Sequence, residues 1–324
     1  MKYYIAADGG GTKLQVILYN EDLEIVNTAK SSGTNLLLKS KSDVEKEITE
    51  LVEKLIPESI TDIEGVDLMV IGGSEIFKNA LKERCNIKDT THRGEGATPL
   101  AASGHLYGIT AQAGTGSDAF MIQPDNNFLI GGWGSILGDE GGGYDIGLNS
   151  LKAAIFAFDG RGEKTLIYDL IMEEWKLSTL WEIVQKIYND SDYRGLVASV
   201  SYITEKAAKL GDKIALSIYE NAAHAMSLQV LTAIKQNGGE WIGPVVASGG
   251  AWKGSKHMFD VFSDDIRNAY PNADIIYPTF EPVVGCALLR SFGSENSFTE
   301  KYKKHEERLK VSFKDFLYGK IFDK

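Results

Sequence analysis

Cysteine is scarce in this chain, and the few cysteines present are far apart. The 324 residues include 2 cysteines, Cys85 and Cys286, which lie in no CxxC or His-rich pattern. This spacing excludes a disulfide framework and a cysteine-based zinc site. We expect both thiols to be free and buried, which is the usual environment of an unpaired cysteine.

Basic residues are outnumbered, and no long apolar run opens the chain. A net charge of −11 argues against a surface that binds nucleic acid or an anionic membrane face. Only five uncharged residues separate Lys2 from Asp8, too few for a signal peptide or a membrane span. We therefore expect a cytoplasmic protein without nucleic-acid or membrane partners.

The first hundred residues have the pattern of an α/β unit. The predicted elements are strands at 3–7, 14–19, 23–28 and 66–73, and helices that begin near Ser42 and after Ser74. Ser42 followed by Glu45 is a capping-box pattern, and Pro57 would end that helix. The run at 66–73 is continuously apolar, which is typical of a strand buried on both faces.

The opening layout occurs a second time. Residues 111–130, AQAGTGSDAFMIQPDNNFLI, repeat the order of residues 5–26: a strand, a glycine-rich turn, a strand, a polar turn and a strand. The two loops begin at Asp8 and Gly114. Such a repeat predicts two related α/β halves. Helical patterns run from Tyr144 to about Gln236, and strands are predicted at 244–252 and 273–278.

Three glycine-rich segments each follow an apolar strand: DGGGTK at 8–13, AGTGS at 113–117 and SGG at 248–250. Glycines allow backbone N–H groups to approach an anion and adopt positive φ without steric penalty, so the first two segments are candidate polyphosphate loops. Asp8 is placed to hold Mg²⁺ or its waters. The alternative is that each glycine run is only a tight turn. Neither the P-loop nor the Rossmann pattern fits.

These segments, in this order, resemble the phosphate-1, phosphate-2 and adenosine motifs of the actin-like ATPase superfamily. GGWGSILGDEGGGYDIG at 131–147 lies between the second and third motif and resembles the N-acetylglucosamine kinase group within the BadF/BadG/BcrA/BcrD ATPases. The resemblance extends to about residue 290. It implies an α/β fold of two actin-like (ribonuclease H-like) domains, related by internal duplication, with the nucleotide site in the cleft between them.

The resemblance implies the ligands ATP, Mg²⁺ and an amino sugar. Asp8 would be the metal residue. The nucleotide residues would be Asp8, Gly9, Gly10, Gly11, Thr12, Gly114, Thr115, Gly116, Ser117, Ser248, Gly249 and Gly250. The sugar residues would be Asn35, Gly132, Trp133 and Asp139. Two alternatives stay open: Asp139 with Glu140 could cap the following helix, and Trp133 could be a core aromatic.

Glu95 is the main departure from the family pattern. It stands where relatives have the Asp that takes the proton from the sugar hydroxyl. The extra methylene would move the carboxylate by on the order of 1.5 Å, and a misplacement of about 1 Å can cost some hundredfold in rate. Gly94 and Gly96 on either side would allow the backbone to retreat. The alternative is a solvated loop acid without a role.

Three functions follow as hypotheses: an amino-sugar kinase acting on an N-acetylglucosamine, glucosamine or muramic acid type of substrate, an ATPase that activates a partner enzyme, and a sugar or nucleotide sensor without turnover. The activators in the wider family bind an Fe–S cluster through cysteines near the start of the second half, and this chain has none there. The expected domains are 1–106, 107–293 with a helical insertion at about 144–236, and a charged C-terminal helix in 294–324 that packs on the first domain. Monomer and homodimer are both open.

Overall fold

The computed structural model describes residues 1–34, 36, 39–293 and 297–319. The chain divides into two compact units. Unit one contains Met1–Tyr107 and the described residues from Tyr277 to Gly319, and unit two contains Gly108–Ile276. Residues 277–293, which the sequence analysis assigned to the second domain, therefore lie in unit one.

The elements alternate between strands and helices at the start of each unit and become helical later. Residues 1–107 form β1 (Tyr3–Gly9), β2 (Lys13–Asn20), β3 (Ile25–Ser32), α1 (Lys41–Leu55), β4 (Asp62–Ile63), β5 (Gly65–Val70), α2 (Ser74–Arg84), β6 (Asn86–Ile87), β7 (Thr90–His92) and α3 (Ala97–Ala102). Unit two forms β8 (Gly108–Ala113), β9 (Ser117–Ile122), β10 (Asn127–Gly131), α4 (Gly143–Asp159), α5 (Leu166–Glu174), α6 (Glu182–Tyr188), α7 (Tyr193–Lys209), α8 (Lys213–Gln236), β11 (Val245–Ser248), α9 (Gly250–Gly254), α10 (Lys256–Ala269) and β12 (Ile275–Ile276). Unit one ends with α11 (Pro282–Phe292), α12 (Phe298–Ser312) and a 3₁₀ turn (Lys314–Phe316).

The two main sheets have the same topology. Their strand orders are β3-β2-β1-β5-β7 and β10-β9-β8-β11-β12. In each sheet the first three strands are antiparallel, and the last two run parallel to the central strand. Internal duplication is our interpretation of this repetition.

The sheet of unit one is covered on both faces. Ile5, Val16 and their neighbours pack against α1 and α2. Ala6 and Ile17 face α11 and α12 on the other side. Burial on both faces explains why the central strands read as continuous apolar runs.

The observed helices match the predicted helical ranges, whereas the N-cap of α1 differs from the predicted one. The stretch predicted to be helical from Tyr144 to Gln236 contains α4 to α8. Helix α1 ends at Leu55, before Pro57, but its N-cap is Ser40, whose side chain accepts from the Asp43 N–H. The capping box predicted at Ser42 is therefore wrong, because the N-cap lies two residues earlier. The prediction of free, buried thiols is confirmed for Cys85 and Cys286. Each helix that lies within the described ranges is too short or too polar to cross a membrane.

Candidate active site

Asp8 lies near the end of the central strand of unit one, where β1 pairs with both β2 and β5. Its side chain is 7% exposed. Among the described residues, no group donates a hydrogen bond to its Oδ1, which is fully buried. A buried, unsatisfied carboxylate oxygen is costly, so native proteins keep one where a ligand or an ion satisfies it.

Two further carboxylates raise the cost of charge on Asp8. Burial is the largest cause, and it raises the pKa of Asp8 to about 7. Lys13 lowers this pKa, while the negative charges of Glu95 and Glu281 raise it. The structure thus brings the predicted metal residue and the predicted base into one electrostatic environment. The sequence analysis missed Lys13 and Glu281, which form an ion pair of 3.4 Å between Nζ and Oε2.

The loop after Asp8 is open on its outer side. An added Cβ at Gly10 or Gly11 would have no atom within 4 Å. Gly9, Gly10 and Gly11 all keep φ outside the left-handed region, so these glycines do not use the positive φ that glycine permits. Gly9 is required by packing, since a Cβ would lie 2.7 Å from Leu14 Cδ1.

The other side of this loop packs against Gly33 and Thr34, which follow β3. A Cβ at Gly33 would lie 2.0 Å from the Gly11 carbonyl oxygen, and the Thr34 N–H donates to the Gly10 carbonyl at 3.4 Å. Thr12 is exposed at the loop's end. Asn35, a predicted sugar residue, lies outside the described residues.

Glu95 lies in the short connection between β7 and α3 and is half-buried. The side chain of Glu95 is partly covered, and its negative charge contributes to the raised pKa of Asp8. The alternative of a solvated loop acid without a role stays a hypothesis. Its carbonyl accepts a hydrogen bond of 3.4 Å from the Thr98 hydroxyl.

The second glycine loop, in unit two, is held from several directions. The Gly114 carbonyl accepts from the Gly143 N–H at 2.8 Å, and the Thr115 carbonyl accepts from the Tyr144 N–H at 2.9 Å. The Ser117 hydroxyl donates to the Glu140 carbonyl at 2.7 Å. The segment 139–144 therefore fixes this loop through its backbone.

The side chain of Asp139 packs against this loop and is held by two hydrogen bonds. It is 3% exposed and has a φ of 62°. Its Oδ2 accepts from Arg194 Nη2 at 2.5 Å and its Oδ1 accepts from the Gly134 N–H at 3.2 Å. A Cβ on Gly116 would lie 2.5 Å from Oδ2. The helix-cap interpretation of Asp139 is wrong, because α4 begins at Gly143 with Gly142 as its N-cap.

The remaining predicted residues of unit two lie near this loop in the fold. Ser248 ends β11 beside β8, is fully buried, and its hydroxyl has no hydrogen-bond partner among the described residues. Gly249 has a φ of 112°, and a Cβ there would lie 2.3 Å from the Ala113 carbonyl oxygen. A Cβ at Gly250 would meet open space. Position 249 requires glycine because its backbone lies against Ala113 and Gly114, at the start of the second glycine loop.

Gly132 and Trp133 lie in the connection between β10 and α4. Gly132 has a φ of 73°. Trp133 is 74% exposed, so its interpretation as a core aromatic is wrong. A large exposed aromatic ring beside glycines is suited to stacking on a ligand.

The donor set of unit one suits Mg²⁺ bound through substrate phosphates. No cluster of three or more metal-ligating side chains occurs in the part of the chain that the structure describes. Mg²⁺ usually keeps several waters and uses one or two carboxylates together with substrate oxygens. The unsatisfied Oδ1 of Asp8 therefore fits a single carboxylate contact to such an ion.

Comparison with known proteins identifies relatives over nearly the whole chain. Residues 7–290 match the BadF/BadG/BcrA/BcrD ATPase family. The chain is 26% identical over 300 residues to the N-acetylmuramic acid/N-acetylglucosamine kinase of Clostridium acetobutylicum, covering 89% of this chain and 98% of that protein. It is 27% identical over 310 residues to the N-acetyl-D-glucosamine kinase of Dictyostelium discoideum, covering 88% and 97% of the two chains.

Solved structures show the same fold. A candidate N-acetylglucosamine kinase from Porphyromonas gingivalis superposes with a TM-score of 0.69 at 18% identity and covers 91% of this chain and 100% of its own. A ROK family glucokinase from Streptomyces griseus has a TM-score of 0.56 at 14% identity, with 89% and 98% covered. The predicted fold class, α/β with two actin-like domains, is confirmed at this level.

Proposed function

Because the chain belongs to the BadF/BadG/BcrA/BcrD ATPase family, we propose that it is an ATP-dependent kinase that phosphorylates a hydroxyl of an amino sugar. The observation that carries the proposal is the environment of Asp8: a buried carboxylate with an unsatisfied oxygen, next to an open glycine loop and electrostatically coupled to Glu95. The names of the curated relatives support an amino sugar as substrate.

Each glycine segment has a proposed nucleotide role. Residues 9–12 hold phosphate oxygens through backbone N–H groups, since Gly10 and Gly11 leave room for a ligand at their Cα atoms. Residues 114–117 present a second, internally braced backbone to the phosphates. Residues 248–250 contact the adenosine. Mg²⁺, when bound beside Asp8, would neutralise charge that develops on the phosphoryl oxygens.

Glu95 is the proposed base. It accepts the proton of the sugar hydroxyl as that oxygen forms a bond to the γ-phosphorus, and the bond from phosphorus to the β–γ bridging oxygen breaks to release ADP. The partial burial of Glu95 limits competition from water for this hydrogen bond.

Four residues are proposed to contact the sugar: Asn35, Gly132, Trp133 and Asp139. Trp133 offers an exposed ring for stacking. Asp139 already binds Arg194 and the Gly134 N–H, and a carboxylate has about four lone-pair sites, so its oxygens keep capacity for one more hydrogen bond from a sugar hydroxyl. We place the enzyme in the cytoplasm, where ATP is available. Size-exclusion chromatography distinguishes a monomer from a homodimer.

The test is ADP release with Mg-ATP against N-acetylglucosamine, glucosamine, N-acetylmuramic acid, N-acetylmannosamine and glucose, with a no-sugar control. We expect release that depends on one of the amino sugars. E95Q should lose at least about a hundredfold in kcat while it still binds ATP. E83Q, which removes an exposed carboxylate on α2, is the control and should keep wild-type kcat.

Three other results would contradict the proposal. ADP release without sugar would favour a partner-activating ATPase. Binding of sugar and ATP without release would favour a sensor. Full activity in E95Q would remove Glu95 from the role of base.

A further inference from the structure

We propose that Arg93 is a positioning residue, which holds the loop carrying Glu95 in place through an ion pair with the buried Asp67. This inference rests on the proposed function, because it assumes that Glu95 is the base. The residues that carry it all lie in unit one.

Asp67 is a fully buried carboxylate in the middle of β5. Arg93 binds its Oδ1 through both Nε, at 2.7 Å, and Nη2, at 2.6 Å. Arg290 of α11 binds its Oδ2 through Nε. Each oxygen thus has its own guanidinium, so loss of either arginine leaves one buried carboxylate oxygen without its hydrogen-bond donor.

Arg93 also continues the sheet in its backbone. Its N–H donates to the Leu68 carbonyl at 2.8 Å, one step beyond the last β5–β7 register pair. Side chain and backbone therefore attach Arg93 to the same strand, β5. Only Gly94, which is exposed, separates this anchor from Glu95.

The other side of the loop is attached to α11. Helix α3 begins directly after the loop, and a Cβ on Gly285 of α11 would lie 1.9 Å from the Thr98 carbonyl oxygen. The Ala97 N–H closes the loop by donating to the Gly94 carbonyl at 3.0 Å. Glu95 therefore lies between two fixed points, Arg93 on β5 and the start of α3 on α11. Because only Gly94 separates Arg93 from Glu95, a shift of Arg93 would also shift Glu95.

Helix α11 connects these anchors to the environment of Asp8. Its Arg290 binds Asp67 and also donates to Asp89 Oδ2 at 2.8 Å. Its N-cap, Glu281, pairs with Lys13 and acts electrostatically on Asp8. The ion pair between Arg93 and Asp67 thus fixes the base relative to the same helix that borders the metal residue. Misplacement of a reacting group by about 1 Å can cost about a hundredfold in rate.

The experiment compares R93Q and R93K with R290Q, which removes the second guanidinium from the same carboxylate. The first readout is kcat and KM for ATP with the sugar that the panel identifies. The second is amide hydrogen exchange over residues 93–98, which requires no turnover. Thermal unfolding checks that each variant is folded.

We expect R93Q to lower kcat at least about tenfold with KM for ATP changed less than about twofold, and R93K to recover part of kcat. R290Q should keep about half or more of kcat. Exchange at residues 94–98 should accelerate more in R93Q than in R290Q, because Arg290 lies outside the loop that carries Glu95.

Equal losses of kcat in R93Q and R290Q would show a general structural role and overturn the inference. A wild-type kcat together with wild-type amide exchange rates in R93Q would also overturn the inference. If R93Q does not fold, R93K decides, since unchanged kcat and exchange there contradict a positioning role. If the wild-type chain phosphorylates no sugar, the proposed function fails, while the exchange rates still decide whether Arg93 holds the loop.

Discussion

The two glycine loops occupy the same place in two sheets of the same topology, yet they are built differently. In unit one, Gly10 and Gly11 have open space where a Cβ would project. In unit two, Gly116 lies against the Asp139 carboxylate, and a Cβ on Gly142 would lie 2.7 Å from the Gly116 carbonyl carbon. The same sequence signature thus coincides with open space at Gly10 and Gly11 in the first loop and with close internal packing at Gly116 in the second.

The largest expected effect comes from breaking the ion pair between Asp139 and Arg194, which supports the second loop. R194A leaves Asp139 buried without its guanidinium, which should lower the free energy of unfolding by about 3–5 kcal/mol. R161A breaks the exposed pair with Asp159 and should cost at most about 1 kcal/mol. Urea unfolding measures both. Equal losses of unfolding free energy in R194A and R161A would mean that the Asp139–Arg194 pair does not stabilise the second loop.

These differences between the loops could not be read from the sequence. The predicted position of Asp8 near the end of a strand is confirmed, because an apolar run that stops at an acid before glycines is a local signal. Asp139 and Arg194 are 55 residues apart in sequence and share no periodic pattern. Lys13 and Glu281 are 268 residues apart, and the assignment of α11 to unit one follows only from tertiary packing.

The reason for each glycine was also hidden. Glycine permits positive φ, but in the first loop Gly9 packs on Leu14 and Gly10 and Gly11 have open space where a Cβ would project, all without positive φ. Positive φ occurs instead at Gly132 and Gly249. Local composition locates glycine-rich turns well, whereas their dihedral angles depend on neighbours that are distant in sequence.

The second prediction concerns the acid before the open loop. D8N keeps the shape of the side chain but removes the anionic ligand, so we expect kcat to fall by at least about a hundredfold, with little change in fold. Steady-state kinetics with varied Mg²⁺ measures this. Excess Mg²⁺ that restores wild-type kcat to D8N would contradict a direct metal contact.

The third prediction uses the same variant to follow pH. The pKa of Asp8 is raised from 3.8 to about 7 in the folded chain. The folded state therefore holds a proton that the unfolded state releases, and stability falls as the pH rises from about 4 to 7. D8N lacks this dependence, so its advantage over the wild type should grow between pH 5 and pH 8 by on the order of 3 kcal/mol without Mg²⁺.

Thermal unfolding of both proteins in EDTA at several pH values is the measurement. Added Mg²⁺ should reduce the difference at pH 8, since the ion compensates the buried charge. A constant difference across this range would mean that Asp8 ionises normally and that its burial carries no electrostatic cost.

The fourth prediction compares alanine in the two loops directly. G116A places a Cβ 2.5 Å from Asp139 Oδ2 and should lower the free energy of unfolding by about 1–3 kcal/mol. G10A meets no atom within 4 Å and should change it by less than about 0.5 kcal/mol. Calorimetry should show weaker ATP binding in G10A, because the new methyl group lies where a phosphate would approach. Undiminished ATP affinity in G10A would place the ligand elsewhere.

The smallest expected effect is at Trp133, whose exposed ring belongs to neither loop. W133A should leave the free energy of unfolding unchanged within about 0.5 kcal/mol, because the side chain is 74% exposed. Loss of stacking on the sugar ring should raise KM for the sugar severalfold, in keeping with about 0.5–1.5 kcal/mol for a ring contact, with kcat preserved. W181A is the matched control, since Trp181 is 71% exposed in the same unit but lies in the helical region. Equal sugar KM values in W133A and W181A would remove Trp133 from the sugar site.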